Sequence, residues 1–218
     1  MRRTWDALAA GETAVYVGDP AGGAEELKGL FGRLGGDPRG TTCVEVGCGP
    51  GRMTGALAGR FDRVIAVDVS PAMLEQARRN VTLESVEFRL VSGERLDGLN
   101  GDIADVLVCY LVLQHLPDEG VVRSYLREFA RVLTADGEAY VQIPVLEGLV
   151  GRARRALRAP LLHLARRPEH RAEFRGYRLT GPELGRALDD AGLRIIADDE
   201  GPSAYRSCRD RFLRLARR

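Results

Sequence analysis

The stretch Val44-Glu45-Val46-Gly47-Cys48-Gly49-Pro50-Gly51-Arg52 constrains this chain more than any other. An apolar, strand-like run enters three glycines at alternate positions, and a helical segment follows at once. Glycine is required where the backbone turns sharply and lies against a ligand with no Cβ in the way. The spacing is G-x-G-x-G, whereas the dinucleotide-binding fingerprint is G-x-G-x-x-G. Glu45, two residues before the first glycine, adds a carboxylate at the mouth of the loop. A carboxylate there suits a cationic ligand and is awkward beside a pyrophosphate.

A second segment, Val64-Ile65-Ala66-Val67-Asp68-Val69-Ser70, is an apolar strand ending in an acid. Asp68 follows Gly51 by seventeen residues, which places it at the tip of the adjacent strand. A carboxylate at that point accepts both hydroxyls of a ribose. The competing reading is that it caps the helix starting near Ser70 or Pro71.

Around these segments, apolar runs of strand length alternate with amphipathic ones. Strands are expected at 42–46, 63–67, 86–91, 104–109 and 138–143, with helices at 53–58, 71–80 and 119–133. This alternation predicts an α/β fold with a parallel sheet covered by helices on both faces. The first 40 residues read as a helical cap, with Trp5 and Leu8 on one helix face and a second helix over 25–34. Residues 41–145 form the core, 146–180 a helical insert dense in arginine, and 181–218 a helix and strand pair, all within one domain. Thr180, with Glu183 three residues on, signals the start of that last helix. Strands at 193–197 and 204–215 are expected to pair through a turn at Asp199-Glu200-Gly201-Pro202.

The runs VEVGCGPGR, VIAVDVSPAMLEQAR and ADVLVCYLVLQHLPD, in this order, resemble the first, second and fourth motifs of class I S-adenosylmethionine-dependent methyltransferases. The likeness covers about residues 40–145. It is nearest to the small-molecule group that includes ubiquinone-, biotin- and sugar-modifying enzymes. Trp5-Asp6-Ala7-Leu8 and Tyr16 resemble the cap helix that precedes this core. The resemblance implies a Rossmann-like, doubly wound seven-stranded sheet whose last strand is antiparallel and inserted near the edge. It implies S-adenosylmethionine as cofactor, with Glu45, Gly47, Cys48, Gly49 and Gly51 around the methionine moiety. Asp68 and Val69 would hold the ribose, Met73 would pack on the adenine, and Tyr110 and Leu111 would line the wall near the sulfonium. The family's usual third-strand Asp is replaced here by Ser92 or Gly93, so the adenine contact falls to backbone atoms, Ser92 or Glu94.

Methyl transfer from a sulfonium gains most from holding the acceptor in line, and an oxygen or nitrogen acceptor also calls for a base. His115, just beyond the fourth strand, is the first candidate. His163 and His170 in the insert are alternatives, and Tyr16 and Tyr177 are candidates for the acceptor pocket. Arginines of the insert would bind a phosphate or carboxylate on an anionic small-molecule acceptor. Two other readings of the insert are a solvated helix and a basic amphipathic helix on a membrane surface, with Leu149, Leu157, Leu161 and Leu164 toward lipid. The methylated atom, O, N or C, and the oligomeric state are left open by the sequence.

Rival functions are a nicotinamide-dependent oxidoreductase, a nucleic-acid methyltransferase and a binding module without turnover. Glycine spacing and Glu45 oppose the first. Against the second stand a net charge of +1 and Tyr110-Leu111-Val112-Leu113 in place of an Asn/Asp-Pro-Pro-aromatic motif. No Cys/His cluster has zinc spacing, so no metal is expected. Neither a signal-peptide apolar region nor a run of membrane-spanning length is present in the sequence, and no disulfide framework is suggested, so a cytoplasmic location is expected.

Overall fold

The computed structural model of the protein describes residues 2–9, 22–148 and 176–218. Tyr16, His163, His170, the four leucines 149, 157, 161 and 164, and most of the arginine-rich insert therefore lie outside the described residues. The sheet comprises β1 (Gly40–Val46), β2 (Phe61–Asp68), β3 (Val86–Leu90), β4 (Ala104–Cys109), β5 (Leu133–Leu146), β6 (Leu193–Pro202) and β7 (Cys208–Arg217). Their spatial order is β3-β2-β1-β4-β5-β7-β6. Strands β1 to β5 pair in parallel, and β7 runs antiparallel to both β5 and β6. This is the doubly wound seven-stranded sheet expected from the sequence, with its last strand antiparallel and inserted one place from the edge.

The central strands carry apolar residues on both faces because helices cover both. One core, on the side of α5 (Glu119–Val132) and α6 (Gly181–Asp190), gathers Val44, Ile65, Leu107, Phe129, Val141 and Leu215. The other, on the side of α2 (Gly23–Arg33) and α3 (Thr54–Ala58), gathers Phe31, Leu57, Val64, Val108, Tyr140 and Phe212. Helix starts follow local chemistry. In α4 (Pro71–Asn80) the Ser70 hydroxyl accepts from the Met73 N–H, Pro71 sits at the first turn, and Arg78 and Arg79 face the negative end of the helix dipole. Asp118 caps α5 through the Val121 N–H, and Thr180 with Glu183 closes a full capping box on α6. The short α1 (Arg2–Ala9) packs against α4 at the carboxyl edge of the sheet.

One expectation needs correcting. Asp199 to Pro202 do not form the turn between the last two strands; they continue β6, and the chain reverses over 203–207, where Ser207 has φ of 60°. A strand with only one neighbour tolerates Gly and Pro, because the missing N–H faces no ladder. Arg33 further anchors this end by donating to Asp199 at 2.8 Å.

The sheet order reverses between β1 and β4. Chain leaving β1 goes to one side and chain leaving β4 to the other, which opens a crevice at their carboxyl ends, where open α/β sheets bind ligands.

Candidate functional site

The crevice is occupied by a cavity that brings together most of the residues singled out from the sequence. Glu45, Gly47, Cys48 and Gly49 come from the end of β1, Asp68, Val69 and Met73 from the β2–α4 junction, and Tyr110, Leu111 and His115 from beyond β4. Gly51 does not line it. Its φ is 87°, and a Cβ there would meet Val81 and Ala77 at 3.2 and 3.4 Å, so this glycine lets the loop pack on α4. Ser92, Gly93 and Glu94 are not on the wall either; Val91 is. The Ser92 N–H is instead held by the Asp97 carboxylate at 2.9 Å. Tyr177 is placed away from the cavity, with its hydroxyl 3.2 Å from Glu119 at the start of α5.

The glycine loop is shaped by close approach. Gly47 has φ of 72°, and a Cβ on it would lie 2.3 Å from a Val112 methyl, well inside contact distance. The Gly47 and Cys48 N–H groups both bond the Val67 carbonyl, at 2.8 and 3.0 Å, which ties the loop to β2. Asp68 completes the tie: Oδ2 accepts from Gly49 N–H and Oδ1 from Ser70 N–H, each at 2.9 Å. An ionised carboxylate has about four lone-pair sites, so this leaves capacity on both oxygens for further donors.

Glu45 is buried at the far side of the loop, and the Thr54 hydroxyl donates to its Oε2 at 2.6 Å. Burial pushes its carboxyl up to about 7, reinforced by the charge of Asp68 and offset by Thr54 and Arg52. Burial also raises Asp68, against the three backbone N–H groups that favour its charged form. A cavity with two carboxyls held above their usual range matches a ligand that brings positive charge and hydroxyl donors.

Around these acids the wall is apolar, with Met73 buried on α4 and Val69 and Val91 beside it. That lining suits a flat, weakly polar ring. The residues present therefore fit S-adenosylmethionine: Glu45 for the ammonium, Asp68 for the ribose hydroxyls, and the Met73 side for the adenine.

Sequence reasoning did not select Trp5, Thr54, Val112 or Tyr125 as parts of this site. Trp5 stands edge-on to the His115 ring, with centroids 4.9 Å apart. Position Thr54, nine residues after Glu45, carried no signal because its role depends on α3 folding back over the loop. The Gln114 amide nitrogen lies 3.1 Å from His115 Nε2. An amide nitrogen only donates, so in this arrangement Nε2 carries the lone pair and Nδ1 the proton. Leu111 has φ of 60°, and its N–H donates to the buried Gln142 side chain at 3.2 Å. Among the described residues no group of three or more His, Cys, Asp or Glu is placed to hold a metal ion, and no helix is long and apolar enough to cross a membrane.

A family model for a methyltransferase domain matches residues 44–141, from β1 into β5. A ubiquinone biosynthesis O-methyltransferase of Xanthomonas axonopodis pv. citri is 30% identical over 108 residues, which are 48% of this chain and 44% of that protein. The enzyme of the same name from Pseudomonas paraeruginosa is 29% identical over 165 residues, 72% of this chain and 66% of that protein. A trans-aconitate 2-methyltransferase of Methylobacterium radiotolerans is 35% identical over 103 residues, 46% of this chain and 37% of that protein. The chain thus spans less than two thirds of these curated relatives.

Among solved structures, the N-methyltransferase NodS of Bradyrhizobium japonicum in complex with S-adenosylhomocysteine superposes with a TM-score of 0.69 at 16% identity, covering 98% of this chain and 97% of that one. The methyltransferase in complex with the Trm112 activator of Haloferax volcanii gives 0.72 at 20% identity, with 99% and 96% covered. At these identities the likeness is one of fold.

Proposed function

We propose that this chain, which carries the class I S-adenosylmethionine-dependent methyltransferase domain, moves a methyl group from S-adenosylmethionine to an O, N or C atom of a small-molecule acceptor. The observation that carries the reading is the pair of buried carboxyls, Glu45 and Asp68, on either side of the tight glycine loop. A dinucleotide's pyrophosphate would meet Glu45 unfavourably, which sets the oxidoreductase reading aside. When bound, S-adenosylmethionine supplies an electrophilic methyl on a cationic sulfur; on transfer that sulfur keeps the bonding pair and becomes a neutral thioether.

The protein's own part is placement. Glu45, Gly47, Cys48 and Gly49 hold the methionine end, Asp68 and Val69 the ribose, and Met73 and Val91 the adenine, a place that Ser92, Gly93 and Glu94 do not share because they lie off the cavity wall. Tyr110 and Leu111 bound the side from which the acceptor approaches. His115 takes the acceptor's proton where one is to be removed, and Nε2 becomes free for it only when its contact with the Gln114 amide opens. Trp5 and α1 close the opening and exclude water.

An anionic group on the acceptor would be met by the arginines of 152–178, a reading supported by the sequence alone. His163, His170 and Tyr16 remain candidates for that pocket on the same footing, and Tyr177 would act only by anchoring α5. A net charge of +1 supports a small molecule over nucleic acid. Four free cysteines support a reducing, cytoplasmic setting. We read the whole as one domain.

Calorimetric titration with S-adenosylmethionine and S-adenosylhomocysteine tests the proposal. Micromolar binding is expected, weakened tenfold or more, about 1.4 kcal/mol, by Asp68→Ala. Folded protein that binds neither nucleoside would remove it.

A further inference from the structure

Among the described residues, the base end of the cavity holds a hydroxyl without a partner. Tyr125, on α5, is only 2% exposed and lines the cavity. Its hydroxyl makes no hydrogen bond among the described residues, yet it is not one of the polar atoms sealed into the core. A buried tyrosine hydroxyl ordinarily finds a partner, and phenylalanine would fill the same space without that demand. Tyrosine at this position therefore calls for a partner that arrives through the cavity.

Its neighbours show which part of the ligand that is. Tyr125 belongs to the core that contains Val67 and Val91, with Val69 packed against it. Val69 and Val91 stand beside Met73 on the wall suited to the adenine. Phe129, one turn along α5, braces the Tyr125 ring edge-on with centroids 6.2 Å apart. Burial pushes the phenol well above its usual range, and Cys109, Asp68 and Asp97 push the same way. The group is therefore neutral, and its oxygen is able to accept as well as to donate.

The other polar groups on this side are already committed, and Ser92, Asp97 and Glu128 do not line the cavity. Ser92 gives both its N–H and its hydroxyl to the Asp97 carboxylate, which also pairs with Arg95 at 3.1 Å. Glu128 accepts from Leu96 N–H at 3.0 Å and from Arg131 on both oxygens. Asp68 is turned to the glycine loop and the ribose. An adenine seated against Met73 and Val91 brings a 6-amino group that only donates, and leaving it unpaired in an apolar pocket is costly.

We infer that Tyr125 selects the cofactor's base, its phenol oxygen accepting from the 6-amino group of the adenine. The inference rests on the methyltransferase reading and gives it a specificity residue on α5, outside the three motif segments. Tyr125 supplies the acceptor that Ser92 does not.

The test titrates the full chain and Tyr125→Phe, by calorimetry, with S-adenosylhomocysteine and with its purine-riboside analogue, which lacks the 6-amino group. Wild type is expected to bind S-adenosylhomocysteine tenfold or more tighter than the analogue. Tyr125→Phe should bind the two alike, because the group that distinguishes them is gone. A wild type that does not distinguish them, or a variant that keeps the full preference, overturns the assignment. So does an equal loss for both nucleosides, which is what a merely structural tyrosine would give. Free Tyr125→Phe should unfold at the same denaturant concentration as wild type or higher; a lower midpoint would mean that the hydroxyl already serves the fold, and would overturn the assignment too. Wild type that binds neither nucleoside would instead strike the methyltransferase reading, and the base contact with it.

Discussion

Glu45 shows how one buried side chain links stability to ligand. In the unfolded chain its carboxyl titrates near 4.5, and in the folded protein burial moves it to about 7. The folded state thus favours the protonated form. Its contribution to stability is complete below about 4.5 and is lost as pH rises through about 7, a change on the order of 3 kcal/mol for a shift of this size. A ligand ammonium placed against Glu45 reverses the preference by stabilising the carboxylate. Binding of S-adenosylhomocysteine below pH 7 should therefore release a proton, and its affinity should fall about tenfold for each pH unit below that point. Calorimetry in two buffers of different protonation enthalpy measures the release directly. Glu45→Gln should abolish it; an unchanged proton count in that variant would mean another group is titrating.

The junction between β2 and α4 concentrates several elements on one residue. Ser70 accepts from Met73 N–H as the helix cap and donates to Asp6 on α1 at 2.6 Å. Arg2 reaches the Val69 carbonyl and Gln76 the Ala9 carbonyl, so α1 is fastened to the same corner that holds the ribose end of the site. Ser70→Ala removes cap and tether together and should cost about 1 kcal/mol in denaturant unfolding. Asp6→Ala removes only the part-buried tether and leaves the cap, so stability should change less than in Ser70→Ala while S-adenosylhomocysteine dissociates faster. Trp5 is the chain's one tryptophan and lines the cavity, so its fluorescence follows that dissociation by stopped flow. Equal dissociation rates in Asp6→Ala and wild type would show that α1 does not gate the site.

This level also shows what the sequence made legible. Pro71–Asn80 and Ala104–Cys109 emerge with the bounds their patterns suggest, because cap chemistry and apolar runs are local signals. Residues 199–202 misled, since Asp-Glu-Gly-Pro has turn composition but lies on an edge strand where composition is weakly constrained. Thr54, Gln142 and Tyr125 were silent because each acquires its place only through contacts across the fold.

At the scale of the molecule, the two cores lie on opposite faces of a sheet whose two halves meet at the β1–β4 switch point. The cofactor cavity spans that meeting point, drawing on β1, β2 and the chain after β4, whereas β6 and β7 contribute nothing to its lining. A ligand that binds only the folded state stabilises it by about 2.7 kcal/mol at a hundred times its dissociation constant. For a chain of this length that corresponds to a rise in melting temperature of roughly 5–10 °C. The whole transition should move if the sheet unfolds as one cooperative unit. Local openings are a separate matter, and they should respond only where the ligand touches. Amide hydrogen exchange with and without S-adenosylhomocysteine distinguishes the two: added protection is expected at the carboxyl ends of β1 and β2, the first turn of α4 and 110–115. Little change is expected along the outer edge of β6, which is three strands from β4 in the sheet. A melting shift without that pattern, or protection spread evenly to β6, would place the ligand somewhere other than the switch point.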